Sequence, residues 1–293
     1  MGSPLPSLLT DGERYQKALQ VYYDHSTDFQ AMQDFINNLF HDIMSGTING
    51  KSHINVLGIG SGPGDLDIEL LSALHLKNPD MTVDNEVVEP TPELISKYKE
   101  LVSQTPGLDY IKWNWNIMTV QEFEKDWKEK GRTKKFDFIH MFEMLYYVED
   151  NEATVNFFRS LLNKDGKLII SVLDGNTGWG KLDKTYGHRF HNPKLTFVVS
   201  DKVKQYLDSG GVSYQSYLLP CEVDITKCFI EGNEEGELIL EVITEGLNFK
   251  KSAPPELKAG IMELLRCPDC SVESNGKITL SANFEVIVVD QLS

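Results

Sequence analysis

Residues 53–67, HINVLGIGSGPGDLD, read as a strand, a tight turn and the start of a helix. The first half is apolar and β-branched, which predicts a buried strand, and Gly60, Gly62 and Gly64 then break it before helix-forming residues. Glycine has no Cβ and tolerates positive φ, so a loop of this kind brings backbone N–H groups close to a ligand. A nucleotide-like cofactor is the expected occupant, with an ordinary βα turn as the alternative.

The glycine spacing narrows the choice. The dinucleotide fingerprint G-x-G-x-x-G fails in both registers, because Pro63 stands three residues after Gly60 and Asp65 three after Gly62. No Lys-Ser or Lys-Thr follows, which excludes a P-loop. A second apolar strand, residues 86–88, ends in Glu89 and is stopped by Pro90. An acid at that position is placed to accept hydrogen bonds from a ribose diol. A glycine loop and a ribose acid without a pyrophosphate grip point to S-adenosylmethionine, and a dehydrogenase falls behind.

Outward from the loop the chain alternates strand and helix. Helices are expected over 66–76, 91–103 and 151–162, and strands near 110–113, over 136–141 and over 167–173. This order predicts an α/β fold with a doubly wound, mostly parallel sheet whose ligands sit at the carboxyl ends of the strands. Ahead of the first strand, 12–44 shows apolar residues at helical spacing, interrupted at 25–28, where Thr27 and Gln30 match a capping box and Asp28 falls in a first helical turn. Beyond the fifth strand we expect a glycine-rich loop over 174–187, a helix over 200–207 and a strand over 212–218. An added lobe follows over 221–272, with a helix at 255–265, and the last strand covers 283–289. The expected organisation is a single domain, 1–293. It has a helical cap (1–50), a cofactor-binding core (51–174), two substrate-lobe insertions (175–197 and 221–272) and the rest of the core sheet (198–220 and 273–293).

Length and charge bound the partners. With 44 acidic against 28 basic residues among 293, the net charge of −16 repels phosphate backbones and anionic membranes and attracts small cations. Neither nucleic acid nor a membrane is an expected partner. The amino terminus lacks the basic region of a signal peptide, and no segment reaches the roughly 18 apolar residues that span a bilayer. We therefore expect a cytoplasmic protein, and we expect a monomer. Cys221, Cys228, Cys267 and Cys270 are too few for a disulfide framework. Cys267 and Cys270 resemble half of a zinc knuckle, but Cys221 and Cys228, separated by six residues, supply no second close pair, so no metal is expected.

Taken together, His25-Ser26-Thr27 followed by an acid, LGIGSGPGD, Asn85-Glu86-Val87-Val88-Glu89-Pro90, Asp137-Phe138-Ile139-His140-Met141, Met144-Leu145-Tyr146-Tyr147-Val148, Gly178-Trp179, Cys228-Phe229-Ile230 and Ala253-Pro254-Pro255 carry a resemblance. The chain resembles the histamine N-methyltransferase family of class I S-adenosylmethionine enzymes over nearly its whole length. The resemblance implies a seven-stranded sheet and methyl transfer from S-adenosylmethionine to histamine or a related small imidazole or amine. Carnosine, another amine, or cofactor binding without turnover are the alternatives. It implies cofactor contacts at Gly60, Gly62, Glu89, Leu94, Val120 and Phe142. It also implies substrate-orienting roles for Asp28, Glu143 and Asn283, and an aromatic wall from Tyr15, Tyr146, Tyr147 and Trp179.

The chain departs from that family's usual residues in several places. Asp28 stands for glutamate and Glu143 for glutamine, which shortens one carboxylate and adds another. Leu94, Val120 and Phe142 replace glutamine, serine and isoleucine, and Asp183 replaces a second pocket tryptophan.

Overall fold

Strand β1 (His53–Ile59) forms where the apolar run was read, and it is buried at Ile54 and from Val56 to its end. The computed structural model describes residues 5–190 and 198–291. Residues 191–197 of the expected insertion, 1–4 of the expected cap and 292–293 lie outside them. In chain order the helices are α1 (Gly12–His25), α2 (Asp28–Phe35), α3 (His41–Ile48), α4 (Asp65–Lys77), α5 (Pro92–Gln104), α6 (Val120–Glu129), α7 (Asn151–Ser160), α8 (Gly178–Phe190), α9 (Ser200–Ser209), α10 (Glu234–Thr244), α11 (Phe249–Ser252) and α12 (Pro255–Leu265). The remaining strands are β2 (Thr82–Val88), β3 (Ile111–Asn116), β4 (Phe136–Phe142), β5 (Leu162–Leu173), β6 (Tyr214–Leu219), β7 (Glu222–Asp224), β8 (Ser271–Ser274), β9 (Lys277–Ser281) and β10 (Phe284–Asp290).

Seven strands make one sheet in the order β3-β2-β1-β4-β5-β10-β6. The neighbours from β3 to β5 pair in parallel, so the carboxyl ends of β1, β2, β3 and β4 share one edge. The expected doubly wound, seven-stranded α/β sheet is present. The chain forms two compact units. One holds residues 33–172, 202–217 and 286–293 and carries most of this sheet, and the other holds 1–32, 173–201 and 218–285.

In the sheet unit, local signals set the helix starts. Pro92 occupies the first turn of α5, where its missing N–H has no partner to lose. Asp150 caps α7 by accepting from the Ala153 N–H at 2.9 Å. Helix α6, which the sequence reading passed over, opens on a capping box between Thr119 and Glu122. β5 starts earlier than expected, because its register against β4 shifts between Phe136 and Phe138 and takes in an irregular stretch around Gly166.

The other unit packs α1, α8, α10 and α12 with a small antiparallel sheet ordered β7-β9-β8. The stretch expected as an added lobe holds β7 and the start of β8, and one expectation fails, because the stretch read as a glycine-rich loop is mostly helix α8. Its glycines serve close packing instead of turns. A Cβ on Gly178 would stand 2.2 Å from the Cys270 carbonyl oxygen, and one on Gly180 would stand 2.6 Å from that of Gly175. The four cysteines are free thiols.

Helix α1 lies along α10 and is fastened by a bidentate ion pair. Arg14 donates to both oxygens of Glu241, at 2.6 and 2.7 Å, and Glu241 is only 1% exposed. The pair holds the Arg14 guanidinium above its ordinary pKa, the Glu241 hydrogen bond being the largest cause. Removing one partner of a fully buried pair costs about 3–5 kcal/mol, because the other charge stays behind uncompensated. Arg14 is 29% exposed at its side chain. We therefore expect Arg14→Met to cost somewhat less, about 2 kcal/mol, read as a lower urea midpoint at unchanged slope.

Candidate active site

The glycine loop sits at the carboxyl edge of the sheet. Gly60, Gly62 and Gly64 all take positive φ, at 68°, 55° and 89°. The Gly60 N–H donates to the Val88 carbonyl at 2.8 Å, which ties the loop to the end of β2. Glu89, 5% exposed, accepts from the Gly62 N–H at 3.1 Å through Oε2 and from the Thr91 N–H at 3.0 Å through Oε1. A carboxylate has about four acceptor positions, so each oxygen keeps one for a hydroxyl. Above the loop, a Cβ built on Gly62 would meet nothing within 4 Å. Open space over a glycine backbone beside a carboxylate with spare acceptor capacity fits a ribose-bearing cofactor. Val120 at the start of α6, Leu94 in the first turn of α5 and Phe142 at the end of β4 lie along the same strand edge.

Below the loop the fit is close. Tyr98 is fully buried, and its ring leaves only 2.1 Å for a Cβ on Gly64. The Tyr98 hydroxyl donates to Asp67 Oδ2 at 3.0 Å, and Asp67 Oδ1 lies 3.2 Å from His140 Nε2. Gly58, opposite His140 in the β1–β4 register, has no room for a Cβ against Ser61 Oγ, Asp67 or His140.

Glu143 follows β4 with φ of 50°, a left-handed conformation that costs a non-glycine residue about 1 kcal/mol or more. Its Oε1 accepts from the Ser171 hydroxyl at 2.7 Å and its Oε2 from the Tyr146 hydroxyl at 2.9 Å. The Tyr147 ring stands edge-on to Tyr146 and is 42% exposed. Met144 lies against Gly60, where a Cβ would come within 2.7 Å. The strand-four loop and the glycine loop are therefore packed together inside the sheet unit.

The other unit gathers Asp28, Trp179 and Asn283. Asp28 opens α2, and its Oδ2 accepts from the Tyr22 hydroxyl at 2.7 Å. Its Oδ1 is buried and has no hydrogen-bond partner among the described residues. The Tyr22 ring lies 5.6 Å from that of Trp179, whose indole N–H donates to the Ile243 carbonyl at 3.1 Å. Asn283 Oδ1 accepts from the Cys221 N–H at 3.1 Å. Tyr15, two turns before Tyr22 on α1, packs against the same apolar core. Thr27 uses its hydroxyl to accept from the Glu222 N–H at 2.9 Å.

A methyltransferase-domain family model matches residues 23–216. A histamine N-methyltransferase of Danio rerio is 48% identical over 99% of this chain and all of its own length. The carnosine N-methyltransferase 2 of Gallus gallus is 39% identical over 98% of this chain and 89% of its own length. The chain belongs to the histamine N-methyltransferase family. Among solved structures, the YcgJ protein of Bacillus subtilis shares the fold with a TM-score of 0.54 at 13% identity, over 86% of this chain and all of its own.

Beyond the residues that the resemblance brought forward, sequence reasoning missed Tyr22, Ser171 and Cys221, which hold Asp28, Glu143 and Asn283. Tyr22 was read only as part of an apolar helix face. Its seven-residue spacing from Tyr15 was the available signal, since two turns of helix put both on one side. Ser171 stands opposite Phe142 in the β4–β5 register, and Cys221 meets Asn283 only through the tertiary fold.

Burial raises the Asp28 carboxyl from 3.8 to about 6, while hydrogen bonds from Tyr22, Cys221 and Ser26 draw it back down. The folded chain therefore binds more protons than the unfolded chain between those values. Stability falls as pH rises through that window, and the full penalty is present above about 6. Asp28→Asn removes the buried charge. We expect it to stabilise the chain by about 1–3 kcal/mol at pH 7.5 and to make little difference near pH 4, as calorimetric melting at the two pH values would show.

Proposed function

We propose that the chain is an S-adenosylmethionine-dependent N-methyltransferase acting on histamine or a closely related imidazole or amine. The observation that carries the acceptor side of this reading is the buried Oδ1 of Asp28, unpartnered among the described residues. An acceptor oxygen sealed from water without a partner costs about 1–3 kcal/mol, which an N–H or a cationic nitrogen recovers on binding.

S-adenosylmethionine, when bound, supplies a methyl group on a positively charged sulfur. The chain's own residues then have a positioning task. Glu89 accepts from the ribose hydroxyls and the N–H groups of the glycine loop approach the cofactor backbone. Asp28 accepts from a nitrogen of the acceptor and thereby fixes the imidazole tautomer, leaving the other ring nitrogen with its lone pair. Glu143, held by Ser171 and Tyr146, adds a second negative group for a cationic amine, and Asn283 orients the far end. Tyr15, Tyr146, Tyr147 and Trp179 offer aromatic faces that favour a protonated amine. In-line displacement needs no strong base, because a neutral ring already carries the attacking pair, so orientation supplies much of the rate.

The two carboxylates argue against an acceptor that carries its own carboxylate, and this ranks carnosine below histamine. We further propose a cytoplasmic monomer, with neither nucleic acid nor a membrane as partner, the last two supported by the net charge of −16. No helix among the described residues is long and apolar enough to cross a membrane. The reading also assigns it no metal.

Mass spectrometry of methyl transfer from S-adenosylmethionine to histamine, carnosine, histidine and several aryl-ethylamines tests the proposal. Histamine or a simple amine is expected to be methylated fastest, and preferred methylation of carnosine would reverse the ranking. Glu89→Ala is expected to weaken cofactor binding about 10- to 100-fold by calorimetry, the worth of one or two charge-assisted hydrogen bonds, with acceptor KM unchanged. Cofactor binding with no product from any amine would instead identify a non-catalytic relative.

A further inference from the structure

Tyr22 belongs to none of the roles the resemblance supplies, yet its hydroxyl reaches Asp28 Oδ2 at 2.7 Å. Its ring is 3% exposed and is fixed from two sides, by Trp179 and by Tyr23, each with ring centroids 5.6 Å away. A phenol held this rigidly has little freedom to follow a moving carboxylate, so the carboxylate follows it. Asp28 carries one methylene fewer than the glutamate usual in the family and cannot reach as far. Its orientation is therefore set by what holds Oδ2.

We infer that Tyr22 is the positioning residue of the acceptor carboxylate: its hydroxyl occupies Asp28 Oδ2 and leaves Oδ1 alone to receive the acceptor nitrogen. This rests on the acceptor reading above. The groups that face Asp28 are Tyr22 from α1, Cys221 from the turn before β7, and Ser26 beside it in the chain. Of these, Tyr22 does most to offset the burial that pushes the carboxyl up. Without its hydroxyl, Oδ2 loses its donor in a water-poor setting, and the carboxyl takes up a proton more readily. A protonated Asp28 offers a weaker acceptor to an N–H and no charge to a cation. Tyr22 thus contributes both the direction of the lone pair and the ionisation near neutral pH.

The variant is Tyr22→Phe, which keeps the ring and its packing against Trp179. At pH 7 the KM for histamine is expected to rise about tenfold, the worth of one charge-assisted hydrogen bond, with the KM for S-adenosylmethionine and kcat within about twofold. The acid limb of kcat/KM should move upward by about half a pH unit or more, and the KM defect should shrink at pH 9, where both enzymes hold Asp28 ionised. The double variant Tyr22→Phe, Asp28→Asn should lose no more than Asp28→Asn alone, because the two residues act as one unit. A purely structural tyrosine would alter both substrates' KM values and add its loss to that of Asp28→Asn, and that outcome overturns the inference. So does an unmoved acid limb with unchanged histamine KM.

A second readout separates this inference from the acceptor reading. In the full chain without ligands, the Asp28 carboxyl is followed by carbon NMR and assigned through Asp28→Asn. Its titration near 6 should move upward in Tyr22→Phe. A wild-type protein that methylates no amine overturns the acceptor reading, and the titration then still decides the link, which an unmoved Asp28 overturns.

Discussion

The close approach of β1 to the buried Asp67–His140 pair is the constraint on which the cofactor side depends. Parallel pairing puts Gly58 opposite His140, and only a residue without Cβ leaves room there for Asp67 and Ser61. Asp67 lies in the first turn of α4 and also takes the Tyr98 hydroxyl, so strand, helix and the following helix meet on one carboxylate. Tyr98 in turn is flanked edge-on by Trp113 and Trp115 of β3 and supports Gly64 from beneath. The glycine loop therefore has its shape before any ligand arrives, and its binding energy need not be spent on ordering it.

Each unit brings one kind of preorganisation. In the sheet unit a fully seated carboxylate, Glu89, already bonds two backbone N–H groups, and its remaining acceptor positions have fixed directions. In the other unit Asp28 is incompletely satisfied and holds its charge against burial. The first arrangement suits a neutral diol, whose hydroxyls add to existing bonds. The second suits a nitrogen that carries a proton or a positive charge, because such a group relieves an electrostatic deficit built into the free protein.

Much of the fold was legible because the glycine loop, the β-branched runs and Pro90 act locally. The strand ends that carry Glu89 and Glu143 followed from the same signals. What escaped depended on contacts between distant segments. Gly178, Gly180 and Gly187 looked like loop residues, yet close packing demands the first two, Gly178 against the distant Cys270 backbone and Gly180 against Gly175 in the turn just before the helix. Strands β7 and β8 are short and mostly polar on one side, so they carry little periodic signal. Helix α6 is a different case, since Thr119 and Glu122 announce it plainly and the pattern was passed over. At the candidate site, Asp28 was readable as a first-turn acid, but its pairing with Tyr22 across the break between α1 and α2 was not.

Glu143 holds a backbone conformation that few side chains enter willingly, and Ser171 and Tyr146 hold its carboxylate. The family resemblance places glutamine at this position, and exchange between the two swaps one amide nitrogen for an oxygen without asking anything new of the backbone. The charge at this position can therefore differ by a whole unit while the scaffold that presents the side chain stays as it was.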